Sequence, residues 1–383
     1  MMARALRLAE RGLYTTQPNP RVGCVIAHGD EVVGEGWHAR AGGPHAEVFA
    51  LRAAGERARG ATAYVTLEPC AHHGRTPPCA DALVVAGIAR VVAACEDPNP
   101  RTAGSGLRRL REAGIEVRSG LMQDAARELN RGFLSRMERG RPWVRVKLAM
   151  SLDGRTALAN GESKWITGEA ARADVQRWRA RSSTILTGAG TVRADDPRLT
   201  VRLPGRESGS GTNARPPLQG EGMGGDGFAA EGFKPLRVVL DPRLDALPAG
   251  AHLLDGSAPT LVLHAPDMQP SDGRYAQTEL AAVELDMRGG LALHAVMQLL
   301  AQRQVNEVQV EAGPRLCGAL FEAELVDELL LYVAPVLLGD SARPLLSLPP
   351  LESMTQRHAL RMIDQRRLGE DWRLLLRPAK ERG

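Results

Sequence analysis

The chain has 383 residues, of which 43% are hydrophobic and 25% are charged; it exceeds the usual size of one domain and has the composition of a globular protein. Its formal charge of +4 is the difference between 49 basic and 45 acidic residues. The basic residues are dispersed along the sequence, which argues against a nucleic-acid-binding surface. No apolar run approaches the roughly 18 residues that span a bilayer, and the amino terminus lacks the pattern of a secretory signal, so we expect a cytoplasmic protein of two domains.

Helices and strands alternate through residues 1–141, which we take as the first domain. The predicted elements are a helix at 2–13, two strands within 19–38, a helix at 46–55, a strand at 62–67, a helix at 78–87, a strand at 90–95, a helix at 104–114, a strand at 115–117 and a helix at 123–138. This alternation predicts an α/β sandwich in which helices cover a mostly parallel sheet. Ligands bind such sheets where the strands end.

Two of the five cysteines, Cys70 and Cys79, lie near histidines, and in a reducing compartment such a pair indicates a metal rather than a disulfide. The tripeptide His-Ala-Glu at 45–47, followed by these cysteines, matches the zinc deaminases, in which one His and two Cys bind zinc and the Glu does not. Three ligands leave the fourth position open for water. Glu47 would take a proton from that water and return protons to the ring nitrogen and the departing ammonia.

The spacing of the cysteines departs from the general deaminase pattern, because eight residues separate them instead of two. Prolines 77 and 78 can start a helix whose first turn carries Cys79, where the helix dipole stabilises a thiolate. A purely structural zinc site is the alternative, since His72 or His73 could supply a fourth ligand. In that case Glu47 would have no evident task, and Glu68 has no evident task in either case.

A second α/β pattern runs from 142 to 383. Strands are predicted at 143–149, 183–187, 236–240, 260–264, 307–311, 327–334 and 371–377, with helices at 168–180, 291–303 and 314–324. Residues 204–234 are rich in glycine and proline, which predicts a mobile surface insertion. No GxGxxG follows the first strand, but the turn at 313–319 joins a strand to a helix and can present backbone N–H groups to a dinucleotide phosphate.

Several motifs resemble one family closely. They are TTQPNPRVGCVI, GEGWHARAGGPHAE, TLEPCAHHGRTPPCADALVVAGI, DPNPRTAGSG, SLDGRTA, GESKWITG, TVRADDPRLTVR and EAGPRLCGAL. In this order they resemble the bifunctional deaminase–reductases of riboflavin biosynthesis, a family that has the eight-residue cysteine spacing. The resemblance covers nearly the whole chain, apart from 204–234 and the last few dozen residues.

The resemblance implies a cytidine-deaminase-like three-layer first domain and a dihydrofolate-reductase-like α/β second domain. It implies zinc-dependent deamination of 2,5-diamino-6-ribosylamino-4(3H)-pyrimidinone 5′-phosphate, followed by NADPH-dependent reduction of the ribosyl group to ribityl. The alternative is a nucleoside or RNA-base zinc deaminase with an unrelated C-terminal domain. As partners we expect a small-molecule substrate, no nucleic acid, no membrane, and a homo-oligomer, either a dimer or a tetramer.

Under this resemblance, three residues of the first domain are expected at the substrate. Asn19 lies between two prolines and has an amide that can recognise a pyrimidine edge, although a turn-forming Asn looks the same. His38 ends a predicted strand, where a solvated histidine is equally common. Arg75 lies between the two cysteines and its guanidinium suits the substrate phosphate.

The same carry-over assigns residues of the second domain. Those expected near NADPH are Ala149, Trp165, Thr191, Asp195, Gly313, Pro314, Arg315, Leu316, Cys317, Gly318 and Ala319. Those expected near the substrate are Ser163, Arg179, Leu199, Arg202 and Glu311, and the two arginines suit its 5′-phosphate. Lys147 and Asp153, in KLAMSLDG, are further polar candidates, and Lys147 is predicted to bind substrate. Pro242 stands where a small hydroxyl residue would be a natural cofactor contact, and the proton donor of the reduction stays unassigned.

Overall fold

The computed structural model describes residues 1–71, 78–100, 103–164, 166–202 and 234–379. The predicted insertion at 204–234 lies outside these ranges except for Lys234. Met1–Arg141 form one compact unit, and the described chain from Pro142 onward forms a second. No helix in these ranges is long and apolar enough to cross a membrane.

The first unit has helices on both faces of a mixed sheet. In the described ranges its helices are α1 (Met2–Glu10), α2 (Ala46–Ala54), α3 (Cys79–Val85), α4 (Ser105–Glu112), α5 (Gln123–Leu129) and α6 (Arg131–Arg139). Its strands are β1 (Gly23–His28), β2 (Glu31–Trp37), β3 (Thr62–Val65), β4 (Arg90–Ala93) and β5 (Glu116–Ser119). The strand order is β2-β1-β3-β4-β5, with β1 antiparallel to both neighbours and β3, β4 and β5 parallel.

Alternation along β1 divides the core of this unit into two layers. Cys24 and Ile26 pack with Ala50 of α2 on one face of the sheet, while Val25 packs with Leu6 of α1 on the other. Successive side chains of a strand point to opposite faces, so a single apolar run serves both layers. The three-layer α/β architecture expected from the sequence is confirmed.

Two glycines of β2 bring α2 unusually close to the sheet. A Cβ atom at Gly34 would lie 2.2 Å from the carbonyl oxygen of Ala50, and one at Gly36 would lie 2.3 Å from that of Ala46. No side chain fits in that space, so the backbones of β2 and α2 are in direct contact. This contact fixes the height of the first turn of α2 above the sheet.

The predicted single helix at 123–138 is wrong, because the chain forms α5 and α6 with a break at Asn130. The side chain of Asn130 is buried and bonds both backbone groups of Arg21: its Oδ1 accepts from the N–H at 2.7 Å and its Nδ2 donates to the carbonyl at 2.9 Å. Because these bonds hold Asn130 to a distant segment, its backbone departs from the regular helical conformation, with a φ of −107°.

The second unit is built on a larger sheet. In the described part of the chain its helices are α7 (Glu169–Arg181), α8 (Ala189–Asp195), α9 (Leu293–Gln302) and α10 (Pro314–Glu322). Its strands are β6 (Trp143–Ser151), β7 (Arg155–Ala157), β8 (Thr184–Gly188), β9 (Leu236–Leu240), β10 (Thr260–His264), β11 (Glu279–Ala282), β12 (Glu307–Val310), β13 (Glu328–Ala334), β14 (Arg343–Pro344), β15 (Leu360–Leu368) and β16 (Asp371–Pro378).

The main sheet has the order β11-β10-β9-β8-β12-β6-β13-β16-β15. Its strands are parallel from β11 through β13, and β16 and β15 complete it in antiparallel fashion. The central strands are buried on both faces, as parallel strands covered by helices are. The sequence did not predict β15, whose residues are mostly exposed and therefore lack an apolar alternation.

Candidate functional sites

Three side chains of the first unit meet as a group of potential metal ligands. Their ligand atoms, from His45, Cys70 and Cys79, all lie within 4.8 Å of one another. Nδ1 of His45 lies 3.2 Å from Sγ of Cys79 and 3.6 Å from Sγ of Cys70. One imidazole nitrogen and two sulfurs are a donor set that zinc takes in catalytic sites, so these residues fit that ion.

The local fold explains how these three residues come together. His45 is the N-cap of α2, which β2 holds against the sheet. Cys79 is the first residue of α3, preceded by Pro78 at the N-cap position, so the expected helix start is confirmed at Pro78. Cys70 lies between them in the segment that follows β3, and its Sγ accepts a hydrogen bond from the backbone N–H of Cys79 at 3.4 Å.

The thiols of Cys70 and Cys79 shift each other's pKa in opposite directions. A hydrogen bond from the Cys79 thiol outweighs burial and, with His45, lowers the pKa of Cys70 to about 4. The same bond raises the pKa of Cys79, and burial adds to that effect. A dication would offset the repulsion between two thiolates and allow both to ionise.

Glu47 lies in the first turn of α2 and is 3% exposed. In the described ranges its Oε2 is buried without a hydrogen-bond partner. Burial raises the pKa of Glu47 to about 7, although the charge of His45 opposes the shift. A carboxyl group with a pKa near neutrality both accepts and releases protons readily.

Asn19 and His38 are brought together beside this cluster. Nδ1 of His38 lies 3.0 Å from the carbonyl oxygen of Pro44, which only accepts, so Nδ1 carries the proton and Nε2 accepts from the Asn19 amide at 3.1 Å. Burial lowers the pKa of His38, which favours this neutral ring. The ring stands edge to face with that of His45, with centroids 5.5 Å apart.

Other predicted residues of this site cannot be placed. Arg75, His72 and His73 lie outside the described residues, so the alternative of a fourth histidine ligand stays open. No role was predicted for Glu68, yet its carboxylate is buried and accepts four backbone N–H bonds. No local pattern signals this, because the partners are backbone groups distant in sequence.

In the second unit, Arg179, Glu311 and Lys147 form a partly buried charged group, in which the side chains of Arg179 and Glu311 are 11% and 13% exposed. Nε and a terminal nitrogen of Arg179 each donate to one carboxylate oxygen of Glu311, both at 2.7 Å. Burial alone would raise the pKa of Glu311, but Arg179 and Lys147 lower it to about 2. Burial lowers the pKa of Lys147, against the pull of Glu311. Gln309, which was not among the predicted site residues, also donates to Glu311 at 2.8 Å. It lies on β12 two residues before Glu311, and this spacing, which puts side chains on one face of an extended chain, was the available signal.

Arg202 and Leu199 lie next to this group. Arg179 donates to the carbonyl oxygen of Thr200 at 2.9 Å, and Leu199 is buried with a φ of +47°. Burial lowers the pKa of Arg202, and the charges of Arg179 and Arg198 lower it further. Repulsion among cations of this kind marks a place where an anion would be stabilised.

Residues 311–313 connect β12 to α10, and residues 314–319 lie within the first two turns of α10. Gly313 is the N-cap and Pro314 the first residue of α10. A Cβ at Gly188, where β8 ends, would lie 3.1 Å from the side chain of Leu316, so β8 and α10 meet here. Cys317 is fully buried and its thiol bonds the carbonyl oxygen of Ala312 at 3.3 Å.

Further predicted residues of the second unit are spread over several elements. Thr191 and Asp195 belong to α8, which directly follows β8. Burial raises the pKa of Asp195, and the charges of Lys164 and Arg343 oppose the shift. Ala149 lies in β6 and Ser163 lies in the loop before Lys164. Trp165 is outside the described residues.

The chain matches two family models. Residues 1–95 match the cytidine and deoxycytidylate deaminase zinc-binding region, and residues 142–374 match the RibD C-terminal domain. The second match overturns the alternative of a deaminase with an unrelated C-terminal domain.

Full-length relatives give the same result. The chain is 49% identical over 380 residues to riboflavin biosynthesis protein RibD of Escherichia coli, covering 97% of this chain and 96% of that protein. Among solved structures it is similar to Acinetobacter baumannii RibD, with a TM-score of 0.85 and 46% identity over 99% and 98% of the two chains. It is also similar to a diaminohydroxyphosphoribosylaminopyrimidine deaminase/5-amino-6-(5-phosphoribosylamino)uracil reductase of Thermotoga maritima, with a TM-score of 0.82 and 30% identity over 99% and 97%.

Proposed function

The chain belongs to the RibD family, and we propose that residues 1–141 carry the deaminase site and residues 142–383 the reductase site. The protein is a bifunctional deaminase and reductase of riboflavin biosynthesis with a zinc-binding deaminase domain. The Thermotoga relative is named as a deaminase of diaminohydroxyphosphoribosylaminopyrimidine and a reductase of 5-amino-6-(5-phosphoribosylamino)uracil. We take the same two compounds as the successive substrates of this chain.

One observation carries the deaminase assignment: Oε2 of Glu47, which has no hydrogen-bond partner among the described residues, belongs to a carboxyl group close to His45, Cys70 and Cys79. Those three side chains would hold the zinc, which when bound supplies a Lewis acid that acidifies water. Glu47 accepts a proton from the attacking water and delivers protons to the pyrimidine ring nitrogen and to the amine. The water oxygen bonds to the ring carbon, the carbon–nitrogen bond breaks, and ammonia leaves.

Asn19 and His38 would orient the pyrimidine for this step. Asn19 donates a hydrogen bond to His38 from Nδ2. Its Oδ1 is therefore the atom that would accept from a ring N–H or an amino group of the pyrimidine. Neutral His38 forms one wall of the pocket next to His45. Arg75 stays our proposal for the phosphate contact of this site.

In the reductase site, Lys147 and Glu311 offer a partly buried cation and anion to the sugar. Bidentate pairing with Arg179 holds the Glu311 carboxylate in one orientation, so a hydroxyl group can bond an oxygen that is already fixed. NADPH, when bound, supplies the hydride for the reduction. The N–H groups at the start of α10 would bind its pyrophosphate, with Ala149, Trp165, Thr191 and Asp195 alongside.

The cations around Arg202 support a phosphate contact in the same site. Arg179 already donates to Glu311 and to the carbonyl oxygen of Thr200. We therefore expect Arg202 to make more of the hydrogen bonds to the phosphate than Arg179 does. Leu199 and Ser163 complete the proposed substrate contacts. Leu199 contributes through its strained backbone position, because its side chain is buried.

We further propose that the protein is cytoplasmic and acts as a homo-oligomer, a dimer or a tetramer. Strand β15 supports the second proposal, because it ends the described order of the sheet and most of its residues are exposed. An exposed strand of nine residues with an open edge pairs readily with another strand.

Product analysis tests the assignment directly. Purified full-length protein with zinc is incubated with the diaminopyrimidine ribosyl phosphate, with and without NADPH, and the products are identified by mass spectrometry. We expect ammonia and the aminouracil without NADPH, and the ribitylamino product with it. Release of ammonia without any NADPH-dependent product would refute the reductase assignment and leave the deaminase intact.

A further inference from the structure

The carboxylate of Glu68 is buried in the segment that leaves β3, and the residue is 4% exposed. Its Oε1 accepts from the N–H groups of Gly106 at 2.8 Å and Leu107 at 3.2 Å. Its Oε2 accepts from those of Gly104 at 2.9 Å and Asp97 at 3.1 Å. Charge-assisted bonds of this kind are among the strong ones, and the anion satisfies first-turn N–H groups of α4 that have no partner within the helix.

The same segment leads directly to a proposed metal ligand. A Cβ at Gly106 would lie 1.8 Å from the carbonyl oxygen of Pro69, so the first turn of α4 touches the backbone just before Cys70. On the other side, the carbonyl oxygen of Cys70 accepts from the N–H of Ala80 in α3 at 3.1 Å. The N–H of Glu68 itself donates to the carbonyl oxygen of Cys95 at 3.0 Å. The backbone at 68–70 is therefore held between α3, α4 and the end of β4.

We infer that Glu68 is a positioning residue of the metal site, whose carboxylate holds α4 against residues 68–70 and thereby sets the position of the Cys70 thiolate. This inference rests on the proposed function, in which Cys70 binds zinc. Glu68 does not act as a ligand, because both of its oxygens are held by backbone N–H groups. The group of ligand atoms in the described residues consists of His45, Cys70 and Cys79.

A carboxylate is needed at this position because both of its oxygens accept hydrogen bonds from backbone N–H groups. In Glu68→Gln the amide keeps the size of the carboxyl group, but its NH₂ would face two backbone donors. Either the N–H groups of Gly106 and Leu107 or those of Gly104 and Asp97 would lose their acceptor. The first turn of α4 would then relax away from Pro69, and Cys70 would be free to move.

The test measures metal binding in the full-length protein. Zinc affinity is determined by competition with a chromogenic chelator, and the Co²⁺-substituted protein is examined for thiolate-to-metal charge-transfer and ligand-field absorption. Asp371→Asn is the matched control, since Asp371 is also a buried carboxylate that accepts from a helix N-cap, the N–H of Gly168 at 2.7 Å, in the second unit. Reductase turnover with deaminated substrate serves as a check on the rest of the chain.

We expect Glu68→Gln to lower zinc affinity by about tenfold to a hundredfold, as loss of groups that orient ligands does, and to shift the Co²⁺ spectrum while reductase turnover is unchanged. Glu68→Asp, which keeps the charge, should recover part of the affinity, and Asp371→Asn should leave the metal site unaffected. Wild-type affinity and spectrum in Glu68→Gln would overturn the inference. A variant whose first unit is unfolded even with excess zinc would overturn it too, because Glu68 would then act on stability alone. Failure of the wild-type protein to bind zinc would instead refute the proposed metal site.

Discussion

Arg179 and Glu311 form a two-point ion pair, with both N···O distances at 2.7 Å, inside the proposed reductase site. The pKa of Glu311 is lowered from 4.5 in an ordinary glutamate to about 2, because Arg179 and Lys147 outweigh the effect of burial. Since the folded pKa lies below the unfolded one, the pair stabilises the fold above pH 4.5. That stabilisation, about 3 kcal/mol by linkage, is lost as the pH falls from 4.5 toward 2.

Removal of the arginine therefore changes acid stability in a defined way. Arg179→Met should lower the unfolding free energy of the second unit by about 3–5 kcal/mol at pH 7, because it leaves a buried carboxylate without its partner. The difference from wild type should shrink as the pH falls toward 2, because Glu311 becomes neutral first in the variant, which lacks the arginine, and then in wild type. Calorimetric unfolding of both proteins across this pH range measures the difference in unfolding free energy. Arg193→Met, which breaks an exposed pair with Asp245, should cost less than about 1 kcal/mol.

Replacement of Glu47 separates metal binding from proton transfer. Glu47→Gln keeps the side-chain volume in a pocket where Glu47 is 3% exposed, so His45, Cys70 and Cys79 keep their places. We expect ammonia release to fall by about 10²- to 10⁴-fold, with zinc content and reductase turnover unchanged. Ammonia assays and metal analysis measure these quantities. Normal deamination by the variant would show that another group moves the proton.

Removal of the metal should abolish the deaminase activity and leave the reductase activity unchanged. Treatment with a chelator should abolish ammonia release and leave NADPH oxidation with deaminated substrate intact, and added zinc should restore the first. The ligand variants Cys70→Ala and Cys79→Ala should bind no zinc. Cys95→Ala is the matched control, because the Cys95 thiol is buried and directed to the carbonyl oxygen of Thr66, and it should keep its metal. Loss of zinc in the control would contradict the ligand set.

The three side chains predicted as metal ligands are brought together in the structure. They could be named from the sequence because ligation depends on residue type, and a His and two Cys in a known order can be recognised without knowledge of the fold. No role was predicted for Glu68, since that carboxylate is held by backbone N–H groups 29 to 39 positions away, which leave no side-chain signature. The break between α5 and α6 is hidden for a related reason. Asn130 bonds the backbone of Arg21, 109 positions away, and local helical periodicity does not record that contact.

Arg202 offers a test of whether the two sites bind substrate separately. Its neighbours Arg179 and Arg198 are also cationic, so a phosphate at this place would be strongly favoured. Arg202→Ala should raise the KM of the reductase step by roughly tenfold, the loss expected for one charged hydrogen bond, with little change in kcat. Steady-state kinetics of both reactions provide the measurement. An equal rise in the deaminase KM would contradict a phosphate contact confined to the reductase.

The contact between β2 and α2 predicts that one methyl group in the sheet disturbs the deaminase site. A Cβ at Gly36 would lie 2.3 Å from the carbonyl oxygen of Ala46 and 2.7 Å from the nitrogen of Ala50, so Gly36→Ala must push α2 outward. Since His45 caps α2 and Glu47 lies in its first turn, both would move relative to Cys70.

We expect Gly36→Ala to lower the deaminase rate by about 10²-fold, the cost of a displacement near 1 Å, to weaken zinc binding, and to leave reductase turnover unchanged. Gly273→Ala is the control, because a Cβ there meets no atom within 4 Å, and both of its activities should equal those of wild type. Ammonia release, zinc competition and NADPH oxidation are measured on the same preparations. Full deaminase activity in Gly36→Ala would show that α2 can shift without moving the catalytic groups, and that its contact with β2 does not set their position.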